Sequence, residues 1–230
     1  MTFLTIGHRG VMGVEPENTL RSFARAERSG MDVIALDLRL SKDNALVVLH
    51  DAEVDRTTDG SGAVADLTLA ELRELDAGDG QRVPVLEEAL DAVRTPLQVQ
   101  VRDVGVAAVL AELLRGRDLT GRVEVASFHD EVLDEMVRLV PGLRTVLYAD
   151  RPEAARRNLV DRALAVRAET LALDISRLDL DTVEWIHEAG LRVIGWTVNS
   201  LERLRLARAL GLDGVVTDFP EIRSTGRFTA

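Results

Sequence analysis

The residues of this chain best suited to chemistry are two histidines, His8 and His50, and three arginines, Arg9, Arg39 and Arg102. Gathered around one pocket, such a set suits phosphoryl transfer. One imidazole can take the proton of an attacking hydroxyl while the other protonates the leaving oxygen. Guanidinium groups grip a phosphate bidentately and offset charge on its equatorial oxygens. Asp37, Gln100, Ser127, Asp174, Asn199 and Asp218 are the other polar residues at expected strand ends. Trp196, one of two tryptophans, suits either a wall against an apolar part of a ligand or plain core packing. His129 and His187 read as structural or solvated. Lys42, the only lysine, falls on an exposed turn, which argues against Schiff-base chemistry.

The elements that must position these groups follow from periodicity. Val33, Ala35, Asp37 and Arg39 alternate with Ile34, Leu36, Leu38 and Leu40, which marks a strand with one apolar face. Lys42-Asp43-Asn44 is a turn, and the chain from Ala45 to His50 returns as a hairpin strand. Pairing Ser41 with Leu46 would set His50 opposite Asp37, unless this is only a solvated edge hairpin. Gly7-His8-Arg9-Gly10 ends a first strand, with glycines that let backbone approach a ligand. Pro16-Glu17-Asn18-Thr19 opens a helix that Gly30 stops.

Residues 51–83 are irregular, and we read them as an elaboration too short for its own core within a single domain over residues 1–230. Beyond it, strands at Leu97–Arg102, Val123–Ser127, Thr145–Tyr148, Leu171–Ile175, Val193–Val198 and Gly214–Thr217 alternate with helical patterns. These include Val106–Leu114, Val132–Leu139, Ala154–Arg162, Thr182–Ala189 and Leu201–Ala209. With the strands at Ile6 and Leu36 there are eight, which points to a (β/α)₈ TIM barrel with an elaboration after the second strand. Active sites of such barrels lie at the C-terminal ends of the strands.

Composition narrows the partners. A net charge of −11 argues against a nucleic-acid backbone or an anionic membrane surface as main partner, but not against one basic pocket. No cysteine is present, so disulfides and thiolate metal sites are excluded. No apolar run is long enough for a transmembrane helix, and a cytoplasmic setting is the default expectation. Oligomeric state is not legible.

Several motifs carry a resemblance. His8-Arg9-Gly10, Pro16-Glu17-Asn18-Thr19, His50-Asp51, Asp55-Arg56-Thr57-Thr58, Pro84 to Leu90, Trp196-Thr197-Val198-Asn199 and Thr217-Asp218-Phe219-Pro220 occur in the order that resembles the glycerophosphodiester phosphodiesterase family. The resemblance implies a (β/α)₈ barrel that cleaves glycerophosphodiesters into glycerol 3-phosphate and an alcohol. It makes His8 and His50 the acid–base pair and Arg9 a phosphate ligand. It further implies attack by a glycerol hydroxyl first, giving a cyclic phosphate that water opens.

The family pattern also implies a Ca²⁺ or Mg²⁺ held by a Glu-x-Asp on the second strand and a Glu-x-Lys on the next. Here these read Ala35-Leu36-Asp37 and Gln100-Val101-Arg102, so one carboxylate of three remains. Hard cations take much of their affinity from ligand charge. No tightly bound cofactor is therefore expected. Asp37 and Gln100 form at most a remnant that holds Ca²⁺ or Mg²⁺ weakly, with Asp174 as a conceivable replacement ligand. Three readings follow. One is a metal-free phosphodiesterase or cyclising lyase acting on a small phosphodiester, with Arg9, Arg39, Arg102 and Trp196 as substrate ligands. Another is a degenerate barrel that binds a phosphodiester or a protein partner. The third is a slow enzyme with a weak metal site.

Overall fold

The computed structural model describes residues 3–150 and 156–224. The first strand, β1 (Leu4–Gly7), leads into α1 (Leu20–Arg28). Thr19 caps α1, its hydroxyl accepting from the Ser22 amide, and Phe23 and Ala26 bury its inner face. The hairpin follows as β2 (Val33–Leu40) and β3 (Leu46–Val48). After the elaboration with its short α2 (Leu69–Arg73), and then α3 (Leu86–Ala92), strand and helix alternate. The order is β4 (Leu97–Val101), α4 (Val104–Gly116), β5 (Val123–Ser127), α5 (Asp130–Leu139), β6 (Arg144–Ala149) and α6 (Arg156–Ala165). Then come β7 (Thr170–Asp174), α7 (Leu180–Glu188), β8 (Arg192–Trp196), α8 (Leu201–Ala209), β9 (Gly214–Thr217) and the single turn α9 (Glu221–Ser224). The expected start of α6 at Ala154 lies outside the described residues.

Parallel pairing runs β1-β2-β4-β5-β6-β7-β8-β9 and closes from β9 back to β1, so the eight-stranded barrel read from the sequence is present. The period of two sorts each strand between two cores. Ile34, Leu36 and Leu38 join the large cluster between barrel and helices. Val33 and Ala35 join Ile6, Val146, Tyr148, Ile194 and Val216 inside the barrel. Asp37 lies further along that inward row and Arg39 beyond it, towards the C-terminal mouth.

One expectation is corrected. The hairpin pairs Leu38 with Val48 and Leu40 with Leu46, so Ser41 faces Ala45 and Leu49, not His50, lies opposite Asp37. The cause is local. Asn44 adopts the left-handed region (φ 62°), and the Ser41 amide donates to the Ala45 carbonyl, closing a three-residue turn one residue tighter than the expected register. The elaboration also has a small apolar cluster, Val54, Val64, Leu72 and Val83, but it forms only by adding Val47 and Leu49 from the hairpin. No described helix is long and apolar enough to cross a membrane.

Candidate active site

A cavity of about 110 Å³ opens inside the barrel mouth, and His8, Arg9, Asp37, Gln98, Gln100, Arg102, Tyr148 and Trp196 are among its lining residues. The β1 end turns sharply here. Arg9 takes a left-handed φ of 49° and Gly10 one of 86°, and a Cβ on Gly10 would collide with Ser22 of α1, so only glycine fits. The turn is held where the Arg9 carbonyl accepts from both the Ser22 hydroxyl (3.0 Å) and the Asn18 amide (3.0 Å).

His8 and His50 share one arrangement. Nδ1 of His8 donates to Asp218 Oδ1 at 2.7 Å, and Asp218 is itself steadied by Asn199 Nδ2 at 2.6 Å. Burial pushes the Asp218 carboxyl up, but hydrogen bonds from His8 and Asn199 and the positive field of Arg9 outweigh it and hold it below its ordinary range. His50 lies outside β3 and does not line this cavity; it lines a smaller neighbouring one with Glu17 and Asn18 and is joined to the first through Arg102. Arg102 Nη2 lies 2.7 Å from its Nε2, and a guanidinium can only donate. His50 Nε2 is therefore the acceptor, and Nδ1 carries the proton given to Asp51 Oδ1 at 2.5 Å. Burial, Arg9 and Arg102 push the His50 imidazole below its usual value against the pull of Asp37 and Asp51.

Around this pair runs an ion network. Arg56 bridges Asp51 (2.6 Å) and Glu17 (2.8 Å), and Glu17 also accepts from Arg9 Nη1 at 2.7 Å. Hydrogen bonds from Arg56 and His50 hold Asp51 well below the usual carboxylate range. Asp37 is buried, accepts from Asn18 Nδ2 at 3.0 Å on Oδ2, and lies 3.3 Å from Arg9 Nε without hydrogen-bond geometry. In the floor, Tyr148 donates to Gln98 (2.7 Å), which donates to the buried Glu124 (2.8 Å). Burial raises the Tyr148 phenol, so it stays neutral. Phe128, Tyr148 and Trp196 pack with ring centroids 5.2 to 6.1 Å apart as one aromatic wall.

Not every residue singled out from the sequence lines this cavity. Arg39 does not face it: both Nε (3.0 Å) and Nη2 (2.7 Å) donate to the His50 carbonyl. Asp174 is engaged with Ser176 (2.7 Å) and Arg177 (3.6 Å) and is not a lining residue. Ser127 donates to the Val101 carbonyl at 2.6 Å. His129 sits at the start of α5, and His187 pairs with Asp213 at 2.9 Å. Asp51, Glu17, Asn18 and Gln98 received no role from their residue types. The first three lay within recognised motifs, and Gln98 shares the alternating row of Gln100.

The cation that the family pattern implies finds a poor donor set. Asp37 and Gln100 are register partners on β2 and β4, yet Ala35 offers a methyl group and Arg9 and Arg102 line the same cavity. Among the described residues, no three His, Asp or Glu side chains are grouped to hold a metal ion. One carboxylate and one amide beside two guanidiniums do not fit a tightly held hard cation.

A closed (β/α)₈ barrel with His8, Arg9 and Arg102 lining a cavity at the strand ends has the setting in which barrel enzymes act. The family model described as the glycerophosphoryl diester phosphodiesterase family matches residues 8–222. A glycerophosphodiester phosphodiesterase of Caldanaerobacter subterraneus subsp. tengcongensis is 32% identical over 240 residues, covering 96% of each chain. One of Bacillus subtilis is 32% identical over 250 residues, covering 95% of this chain and 84% of its own. A solved Oleispira antarctica phosphodiesterase, in complex with the product sn-glycerol-3-phosphate, superposes with a TM-score of 0.89 at 29% identity over 96% of this chain and 95% of its own. The chain belongs to the glycerophosphoryl diester phosphodiesterase family, whose class is that of the phosphoric diester hydrolases.

Proposed function

We propose that this protein cleaves small glycerophosphodiesters through a His8/His50 acid–base pair without a tightly bound cation, releasing glycerol 3-phosphate or stopping at a cyclic phosphate. The observation that carries this reading is the matched setting of the two imidazoles. Each has Nδ1 tied to a carboxylate, Asp218 or Asp51; His8 lines the cavity with Arg9 and Arg102, and His50 is joined to it through Arg102. A carboxylate on Nδ1 fixes the ring and leaves Nε2 for proton transfer. Arg9 and Arg102 supply positive charge at the phosphate, the electrostatic work that a cation does elsewhere in the family. Arg102 leaves His50 Nε2 when a phosphate competes for its guanidinium. Arg39 acts through His50, holding its carbonyl, and Trp196 walls the glycerol carbons. Any Ca²⁺ or Mg²⁺ at Asp37 and Gln100 is held weakly.

The test is release of glycerol 3-phosphate or its cyclic form from glycerophosphocholine and from a lysophospholipid in EDTA. Turnover in the native protein and its loss in His8→Ala support the reading. Binding of glycerol 3-phosphate without turnover would overturn it and mark a barrel that only binds.

A further inference from the structure

Beneath the cavity runs a line of three buried polar side chains that the proposed chemistry does not use. The Tyr148 hydroxyl on β6 donates to Gln98 Oε1 on β4 at 2.7 Å, and Gln98 Nε2 donates to Glu124 Oε1 on β5 at 2.8 Å. All three residues are buried. Gln98 and Tyr148 line the cavity, whereas Glu124 does not. Glu124 lines a small pocket with Leu4, Thr170, Arg192 and Asp213, at the N-terminal ends of the strands. The line therefore runs from the cavity towards the opposite end of the barrel.

Each link fixes the next. An ionised carboxylate only accepts, so Glu124 draws the Gln98 NH₂ to itself and leaves Oε1 as the acceptor for Tyr148. That bond is the one hydrogen bond of the phenol among the described residues. To reach Gln98 the tyrosine ring crosses β5, which presents the small Ala126 on that inward row, in register with Gln100 and Val146. The same ring packs against Phe128 (5.2 Å) and Trp196 (6.1 Å) in the aromatic wall. In a cavity of about 110 Å³, a small swing of this ring changes the space that a ligand finds.

We infer that Glu124 is a positioning residue: from the far side of the barrel floor it fixes the Gln98 amide, which tethers the Tyr148 ring as part of the substrate cavity. This rests on the cavity being the phosphate site proposed above. Glu124 itself touches no ligand and acts only through the two residues that line the cavity.

The experiment compares Glu124→Met, Glu124→Gln, Tyr148→Phe and the double variant Glu124→Met/Tyr148→Phe with the native protein. Calorimetric titration with sn-glycerol 3-phosphate in EDTA reads the cavity. Tyr148 is the only tyrosine, so a slowly exchanging phenol proton in the NMR spectrum reads the tether unambiguously. Glu124→Met and Tyr148→Phe should each weaken binding about three- to tenfold, the scale of one lost hydrogen bond. The double variant should lose no more than either alone, because both changes cut one line. Glu124→Gln keeps an acceptor for Gln98 and should bind within about twofold of native. The phenol proton should persist in Glu124→Gln and vanish in Glu124→Met. A phenol proton retained in Glu124→Met, or losses that add in the double variant, would overturn the inference while leaving the phosphate site intact. So would native-like binding by Tyr148→Phe, which removes only the hydroxyl and decides the matter even if Glu124→Met does not fold. No binding of glycerol 3-phosphate by the native protein at millimolar concentration would overturn both.

Discussion

The guanidinium of Arg102 donates to Nε2 of His50 across 2.7 Å, joining the end of β4 to the loop after β3 and fixing His50 as a neutral imidazole. An imidazolium would turn a second N–H towards that guanidinium and break the contact. Together with burial, this disfavours the charged form.

His50 should therefore titrate below the ordinary histidine value of about 6.5. The sign for stability follows. An unfolded His50 takes up a proton as pH falls through about 6.5 while the folded one resists, so stability declines over that range. Histidine NMR titration, with His50→Gln to assign the signal, reads the shift directly. In Arg102→Ala the signal should move up in pH. A native His50 titrating above 6.5 would contradict the geometry.

His8 and Asp218 sit 210 residues apart in the chain and 2.7 Å apart in space. His8→Ala should lower kcat by about 10²–10⁴-fold, the usual share of a general acid or base. Asp218→Asn should lower kcat by at least about tenfold by favouring the wrong ring tautomer. Its KM should stay nearly unchanged, because Arg9 and Arg102 still hold the phosphate. A KM rise with unaltered kcat would mean that Asp218 shapes the binding pocket and does not orient the imidazole.

The barrel was legible because each signal is local: period two in the strands, capped helices such as that behind Thr19, and short loops between them. The hairpin register was not, since it turns on whether Asn44 takes left-handed backbone, a difference of one residue that moves His50 out of the ladder. Arg39 shows a second limit. Alternation assigns it to the inward face, but a long side chain chooses its partner in three dimensions, and this one chose the His50 carbonyl. Arg102 was identifiable as a basic residue at a strand end, while its hold on His50 depends on two segments 52 residues apart.

Asn18 reaches Asp37 through both ends of its amide, donating from Nδ2 and accepting the Asp37 amide at 3.3 Å. It does so from a left-handed φ of 57°. Asn18→Ala should cost about 1–3 kcal/mol, because a buried carboxylate loses its donor, plus roughly 1 kcal/mol for the backbone. Asn18→Gly relieves the backbone cost alone. Urea unfolding of the pair separates the two contributions, and a loss below about 0.5 kcal/mol in both would show that water replaces the amide without penalty.

The metal question turns on Ala35 and Gln100, which flank Asp37 along β2 and across the ladder in β4. The native protein should show no rise in melting temperature with millimolar Ca²⁺ and no loss of glycerol 3-phosphate binding in EDTA. The double variant Ala35→Glu/Gln100→Glu puts three carboxylates on neighbouring inward positions, enough charge to hold a hard cation. At about one hundred times its dissociation constant, a bound ion stabilises by about 2.7 kcal/mol. That corresponds to roughly 5–10 °C in a chain of this length. Calcium-dependent melting confined to the variant would place the departure from the family at those two side chains, with Arg102 supplying the native charge. A comparable shift in the unmodified protein, or EDTA-sensitive turnover, would mean that backbone carbonyls or water complete a site around Asp37 that the side chains alone do not make.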